Sequence, residues 1–178
     1  MLKKYFPYAR SKSVFDIDYE RLYSEGIRAL IFDIDATLVP HGEPCTPEIE
    51  ELFRQIHKTG FKTLMLSNNS KERIEDFIRN IDTCYIELAD KPDPKGFLSA
   101  LDKLGVPKEN VLVIGDQLFT DILGANRCGI KSVLVDFLMK DGETKLGKKR
   151  RLEIFMLRFC RCKDVSIKET EDGKKKLL

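Results

Sequence analysis

Five short apolar runs, at 29–34, 62–67, 83–88, 110–115 and 131–136, recur through this chain with helix-like segments between them. Each is rich in Val, Ile, Leu or Phe with little polar alternation, the pattern of a strand covered on both faces. The intervening segments carry helix punctuation. Thr46 and Pro47 read as an N-cap and first helical residue, with Gly60 as the stop. Asn69 or Ser70 can cap a helix ending near Asn80, and Gly105 and Gly129 close two later ones. Repeated strand–helix units at this spacing predict an α/β fold, a Rossmann-like doubly wound parallel sheet with helices on both faces. A chain of 178 residues suffices for one such domain. We place it at 28–137, with an N-terminal extension over 1–27 and a basic helix and polar tail over 138–178.

Open sheets of this kind bind ligands at the carboxyl ends of their strands. Asp33 and Asp35 end the first run, and residues two apart on a strand point the same way. Two acids facing one pocket repel unless a metal ion or a proton intervenes. Ser67 and Asn68 end the second run, Lys91-Pro92 follows the third, and Gly115-Asp116 ends the fourth. Any one of these could be a turn residue or a cap; their convergence on one edge predicts a catalytic site. Lys95 lies in the same loop as Lys91, but its place at a helix start predicts a solvent-facing side chain. Neither His41, in a loop, nor His57, in the last turn of a helix, is assigned a catalytic role.

Taken in order, these residues resemble the haloacid dehalogenase (HAD) superfamily. Asp33, Asp35 and Thr37 match its Asp-x-Asp-x-Thr motif; Ser67, Lys91 and the Gly115-Asp116…Asp121 run match the other three. The resemblance implies a phosphatase in which Asp33 is the nucleophile and Asp35 the general acid and base. It implies Mg²⁺ held by Asp33, the Asp35 main-chain carbonyl and Asp116, with Asp121 as anchor or water-mediated ligand. Thr37, Ser67 and Asn68 would face the substrate phosphate, and Lys91 would neutralise the nucleophile and the phosphoryl group. Neither family insertion point has room for a cap domain, which implies an open site for a phosphate carried on something large. More closely, 67–69, 91–92 and 113–127 resemble the capless subfamily IIIA group of YqeG-like and phosphatidylglycerophosphate phosphatases. Ala36 stands where that group commonly has Asn.

Net charge is only +2, yet 138–163 alone carries an excess of six positive charges. That argues for a local basic surface and against general nucleic-acid affinity. Wrapped as a helix, 148–162 groups Leu152, Phe155, Met156, Phe159 and Cys162 on one face, opposite Arg150, Arg151, Arg158 and Arg161. Such a helix suits an anionic membrane surface; packing Phe155 and Phe159 on the domain is the alternative. Tyr5, Phe6 and Tyr8 beside Lys3 and Lys4 suit an interface too. Five scattered cysteines without a Cys-x-x-Cys pair read as reduced thiols. With no signal-peptide core, and no run near the roughly 18 apolar residues of a membrane span, the expected place is the cytoplasm, peripheral on the inner face of its membrane. The expected substrate is a phospholipid such as phosphatidylglycerophosphate. A phosphoprotein or nucleic acid is the competing substrate, and a non-catalytic RNA- or ribosome-binding module the competing class. Transfer to an acceptor other than water is a further outcome of the same chemistry. The polar tail through Gly173 and Lys176 is expected to fray.

Overall fold

The computed structural model describes residues 2–140, 142, 147–160 and 162–166. Arg161 and the tail from residue 167 onward lie outside the described residues. The five apolar runs form strands, each trimmed at its ends: β2 (Ala29–Phe32), β3 (Lys62–Leu66), β4 (Cys84–Ile86), β5 (Val111–Gly115) and β6 (Lys131–Val135). The flanking segments add β1 (Ala9–Ser11) and β7 (Lys163–Asp164), so the sheet extends beyond 28–137 at both chain ends. Its strand order is β4-β3-β2-β5-β6-β1-β7, and every ladder is parallel. From β2 the chain winds one way through β3 and β4, then returns to β5 on the other side. β2 and β5 therefore flank the point where the winding reverses, the place such sheets keep for ligands.

The strands alternate between two cores, as a period of two requires. Leu30 and Phe32 pack with Ile49, Phe53 and Ile56 of α2 (Pro47–Thr59), and with Ile74 and Phe77 of α3 (Lys71–Phe77). Ala29 and Ile31 face Phe97, Ala100 and Leu104 of α4 (Pro94–Leu104) and Ala125 of α5 (Leu123–Cys128). A Cβ on Gly124 would lie 2.1 Å from the Phe97 ring, so glycine is what lets α5 approach α4 this closely. α1 (Tyr19–Ser24) adds Leu22 to the α2 side.

Helix punctuation is largely as the sequence predicts. Thr46 accepts from the Ile49 N–H, and Gly60, Gly105 and Gly129 end their helices in the left-handed region. Ser70 precedes α3, which ends at Phe77, three residues short of Asn80. Lys95 is exposed in the first turn of α4.

α6 (Lys148–Leu157) corrects the helical-wheel picture. It does pack on the domain, but through Arg150, Glu153, Met156 and Leu157, the last two against Leu118, Ile122 and Leu134. Phe155 and Phe159 stack edge to face, their ring centroids 5.5 Å apart, on the outside. They and Leu152 remain more than half exposed. Among the described residues no helix is long and apolar enough to cross a membrane.

Candidate active site

The carboxyl ends of β2 and β5 bring the acids together. Asp33 follows β2 directly, and its Oδ1 accepts from the Ile34 N–H at 2.8 Å. Asp116 follows Gly115, the last residue of β5. Asp121 comes back to the same point on a π-helical turn, Leu118–Ile122, in which the Ile122 N–H reaches the Gln117 carbonyl at 3.2 Å. Turns widened in this way recur at functional sites because they re-aim one side chain. Here the turn lays the Asp121 carboxylate over Gly115, where a Cβ would stand 2.5 Å from Asp121 Cγ. Asp33, Asp116 and Asp121 are all buried, and each offers an oxygen within 4.8 Å of the others'.

Lys91 is carried in by the loop after β4, which is stitched to the loop after β3. The Ala89 N–H donates to the Ser67 carbonyl at 3.0 Å, the Leu88 N–H to the Asn69 carbonyl at 3.0 Å, and the Lys91 N–H to Asn68 Oδ1 at 2.8 Å. The Lys91 ammonium then sits 2.7 Å from Asp33 Oδ1 and 2.8 Å from Asp121 Oδ1, as ion pairs out of hydrogen-bond alignment. Burial works against its charge, but Asp121 and Asp33 outweigh it and raise its pKa. The Thr37 hydroxyl donates to Asp116 Oδ1 at 2.9 Å. Ser67 is buried at the end of β3, and its hydroxyl accepts from the Asn69 N–H at 3.2 Å.

Three buried carboxylates face one lysine here, with Arg150 of α6 on Asp116. The cluster keeps one negative charge too many for its burial. Desolvation, with Asp121 and Asp116 adding to it against Lys91, pushes the Asp33 carboxyl up to about 7. Desolvation and Asp121 likewise raise Asp116, against Arg150 and Thr37. An all-oxygen, over-charged donor set of this kind fits a hard divalent cation such as Mg²⁺.

Asp35 stands apart from the triad. Its carboxylate accepts from Asn69 Nδ2 at 2.5 Å, the Gly42 N–H at 2.8 Å and Arg73 at 3.3 Å. Although partial burial opposes ionisation, those donors hold its carboxyl below the usual range. Directly after Asp35, Ala36 has φ 62°, in the left-handed region that disfavours a side chain with a Cβ. An Asn tolerates that region, which explains why it suits this position. Ala36→Gly is expected to raise stability by about 0.5–1 kcal/mol, read as a higher denaturation midpoint; a lower midpoint would refute the strain argument.

The family model for haloacid dehalogenase-like hydrolases matches residues 42–129. Over 137 residues, 76% of this chain and 80% of the relative, the sequence is 39% identical to the probable phosphatase YqeG of Bacillus subtilis. The chain belongs to the haloacid dehalogenase-like hydrolases. A glyceraldehyde 3-phosphate phosphatase of Methanopyrus kandleri is 33% identical over 98 residues, half of this chain and 42% of that protein. An uncharacterized protein from Listeria monocytogenes serotype 4b shares the fold, with a TM-score of 0.53 and 22% identity over 70% of this chain and 88% of its own.

Within this HAD site, reading the sequence missed four participants. Asn69 was visible beside Asn68 but suggested only a helix cap. Arg73, which also donates to the Glu43 carbonyl at 2.6 Å, reads as one more charge on α3. Arg150 and Glu153 read as opposite charges on a surface helix, and no local signal shows that α6 turns them inward. His41 is mostly exposed, 3.8 Å from Asp35, and His57 bonds Thr63 at 2.8 Å, remote from the triad in role.

Proposed function

We propose that this HAD phosphatase hydrolyses a phosphomonoester through an aspartyl-phosphate on Asp33. The observation that carries the reading is the state of Asp33. Its Oδ1 is held by the Ile34 N–H and Lys91, and among the described residues Oδ2 has no hydrogen-bond partner and is left for attack. Attack on phosphorus releases the substrate alkoxide, which takes a proton from Asp35; for this Asp35 has to exchange the donors that keep it ionised in the free protein for the substrate oxygen and enter the step protonated. Asp35 then draws a proton from water as that water attacks phosphorus, and the Asp33 carboxylate leaves with inorganic phosphate formed. Lys91 offsets charge on Asp33 and on the phosphoryl oxygens, and Ser67 and Asn68 would face the phosphate, whereas the Thr37 hydroxyl is already given to Asp116 and fixes that carboxylate. Mg²⁺, held by Asp33, Asp116, Asp121 and the Asp35 carbonyl, would supply neutralising charge at the phosphoryl oxygens.

We place the substrate among phospholipids, phosphatidylglycerophosphate or a similar lipid, met by a peripheral protein at the inner face of the cytoplasmic membrane. α6 supports this. The outer side of α6 and of the turn that follows it combines exposed Leu152, Phe155 and Phe159 with Lys148, Arg151 and Arg158, a composition suited to an anionic interface. The inner side of α6 touches Asp116. The test is Mg²⁺-dependent phosphate release from vesicles containing phosphatidylglycerophosphate, beside a soluble aryl phosphate. Replacing Phe155 and Phe159 with Ser should cut vesicle turnover about tenfold or more and spare the soluble ester. Equal loss on both would argue against the interface, and activity confined to phosphopeptides or nucleotides would argue against lipid.

A further inference from the structure

α6 buries a charged pair beside the acidic triad, where apolar side chains would seat a helix as well. A buried ion pair contributes little net stability compared with well-packed apolar residues. Glu153 is nonetheless 2% exposed and the Arg150 side chain 17%. What they touch supplies the reason. Arg150 Nη1 donates to the Asp116 main-chain carbonyl at 2.6 Å and to Glu153 Oε2 at 3.0 Å, while Nη2 grips Asp116 Oδ2. The guanidinium lies 4.4 Å from the centre of the Phe137 ring, and Glu153 Oε1 accepts from the Phe119 N–H at 3.2 Å. With the Thr37 hydroxyl on Oδ1, each oxygen of Asp116 is engaged, one by a neutral group and one by a cation.

We propose that Arg150 is a positioning residue that sets how tightly the acidic triad holds a divalent cation, with Glu153 as the counter-charge that moderates it. α6 thereby becomes part of the catalytic centre. The inference rests on the cation-dependent reading above. A carboxylate has about four lone-pair sites, so a guanidinium and a metal ion can share Asp116. Sharing has an electrostatic cost to the metal ion, because a full positive charge in contact with its ligand opposes it at short range. Arg150 thus holds Asp116 in place and restrains an acid cluster that would otherwise bind cations more tightly.

The two residues should therefore act with opposite sign. Mn²⁺ would be titrated into metal-free protein and the free ion followed by electron paramagnetic resonance, with thermal melting as the check on folding. Arg150→Gln should bind Mn²⁺ about tenfold or more tightly than wild type, and Glu153→Gln about tenfold less tightly. Arg150→Met, which keeps most of the packing volume, should tighten binding as Arg150→Gln does and serves if that variant folds poorly. Arg150→Lys should return affinity part-way to wild type, since it restores charge without the fork. A purely structural contact would weaken binding in the Arg150 and Glu153 variants alike. Wild type that binds no Mn²⁺ would overturn the cation reading and this inference together. Wild-type binding that Arg150→Gln and Arg150→Met leave unchanged or weaken would overturn only this one.

Discussion

Asp33→Asn is expected to abolish turnover, by on the order of 10⁴-fold or more, while the protein keeps its fold. Asn has the same shape, and its side-chain oxygen can still accept from the Ile34 N–H and lie beside the Lys91 ammonium. What disappears is the nucleophile. The stability change should be small because two terms oppose each other. Losing the carboxylate removes its ion pair with Lys91, which retains Asp121 at 2.8 Å. It also removes the repulsion from Asp121 and Asp116 that, with burial, holds Asp33 at about 7. Phosphate release and thermal melting on the same preparation check both halves. Activity within tenfold of wild type would remove Asp33 from the chemistry. A melting point lowered by many degrees would mean that the acid is structural.

How much of this was legible depends on where each signal resides. β2 through β6 were readable because burial on both faces demands uninterrupted apolar runs, and Ala29, Leu30, Ile31 and Phe32 meet that demand residue by residue. β1 and β7 were not, being three and two residues long and mostly polar. Their strand character comes from pairing at the β6 edge, which is tertiary information. The acids were legible through strand-end logic, and the structure brings Asp33, Asp116 and Asp121 within reach of one cation. The surroundings of Asp35 were not, since Asn69 and Arg73 meet it only once β3 lies beside β2. α6 shows the limit most sharply. Helical periodicity groups Leu152, Phe155 and Phe159 correctly, but the side that packs is decided by Asp116, which offers Arg150 a partner, and by Phe119, which offers Glu153 an N–H donor.

Gly115→Ala should be severely damaging although it replaces no catalytic residue. The added Cβ would stand 2.5 Å from Asp121 Cγ and 2.6 Å from Asp121 Cβ and Oδ2, too close for any real contact. Something has to move, and the neighbours decide what. Gly115 is held in the β5–β6 ladder opposite Leu134, so β5 cannot easily retreat. The Asp121 carboxylate is the freer partner, being held by the Gln117 N–H at 3.1 Å and by Lys91. Driving it outward removes one of the two acids that share Lys91 and opens the acidic triad. Turnover should fall about a hundredfold or more, because shifting a catalytic group by about 1 Å already costs that much. Stability should fall by about 1–3 kcal/mol from overpacking. The two effects separate in a double variant. Against Asp121→Gly, which removes the Cβ, Cγ and Oδ2 that the new methyl would meet, adding Gly115→Ala should cost little further stability while activity stays low. A Gly115→Ala protein that keeps full turnover would show that Asp121 need not occupy this place, and the glycine would then be a requirement of the turn alone.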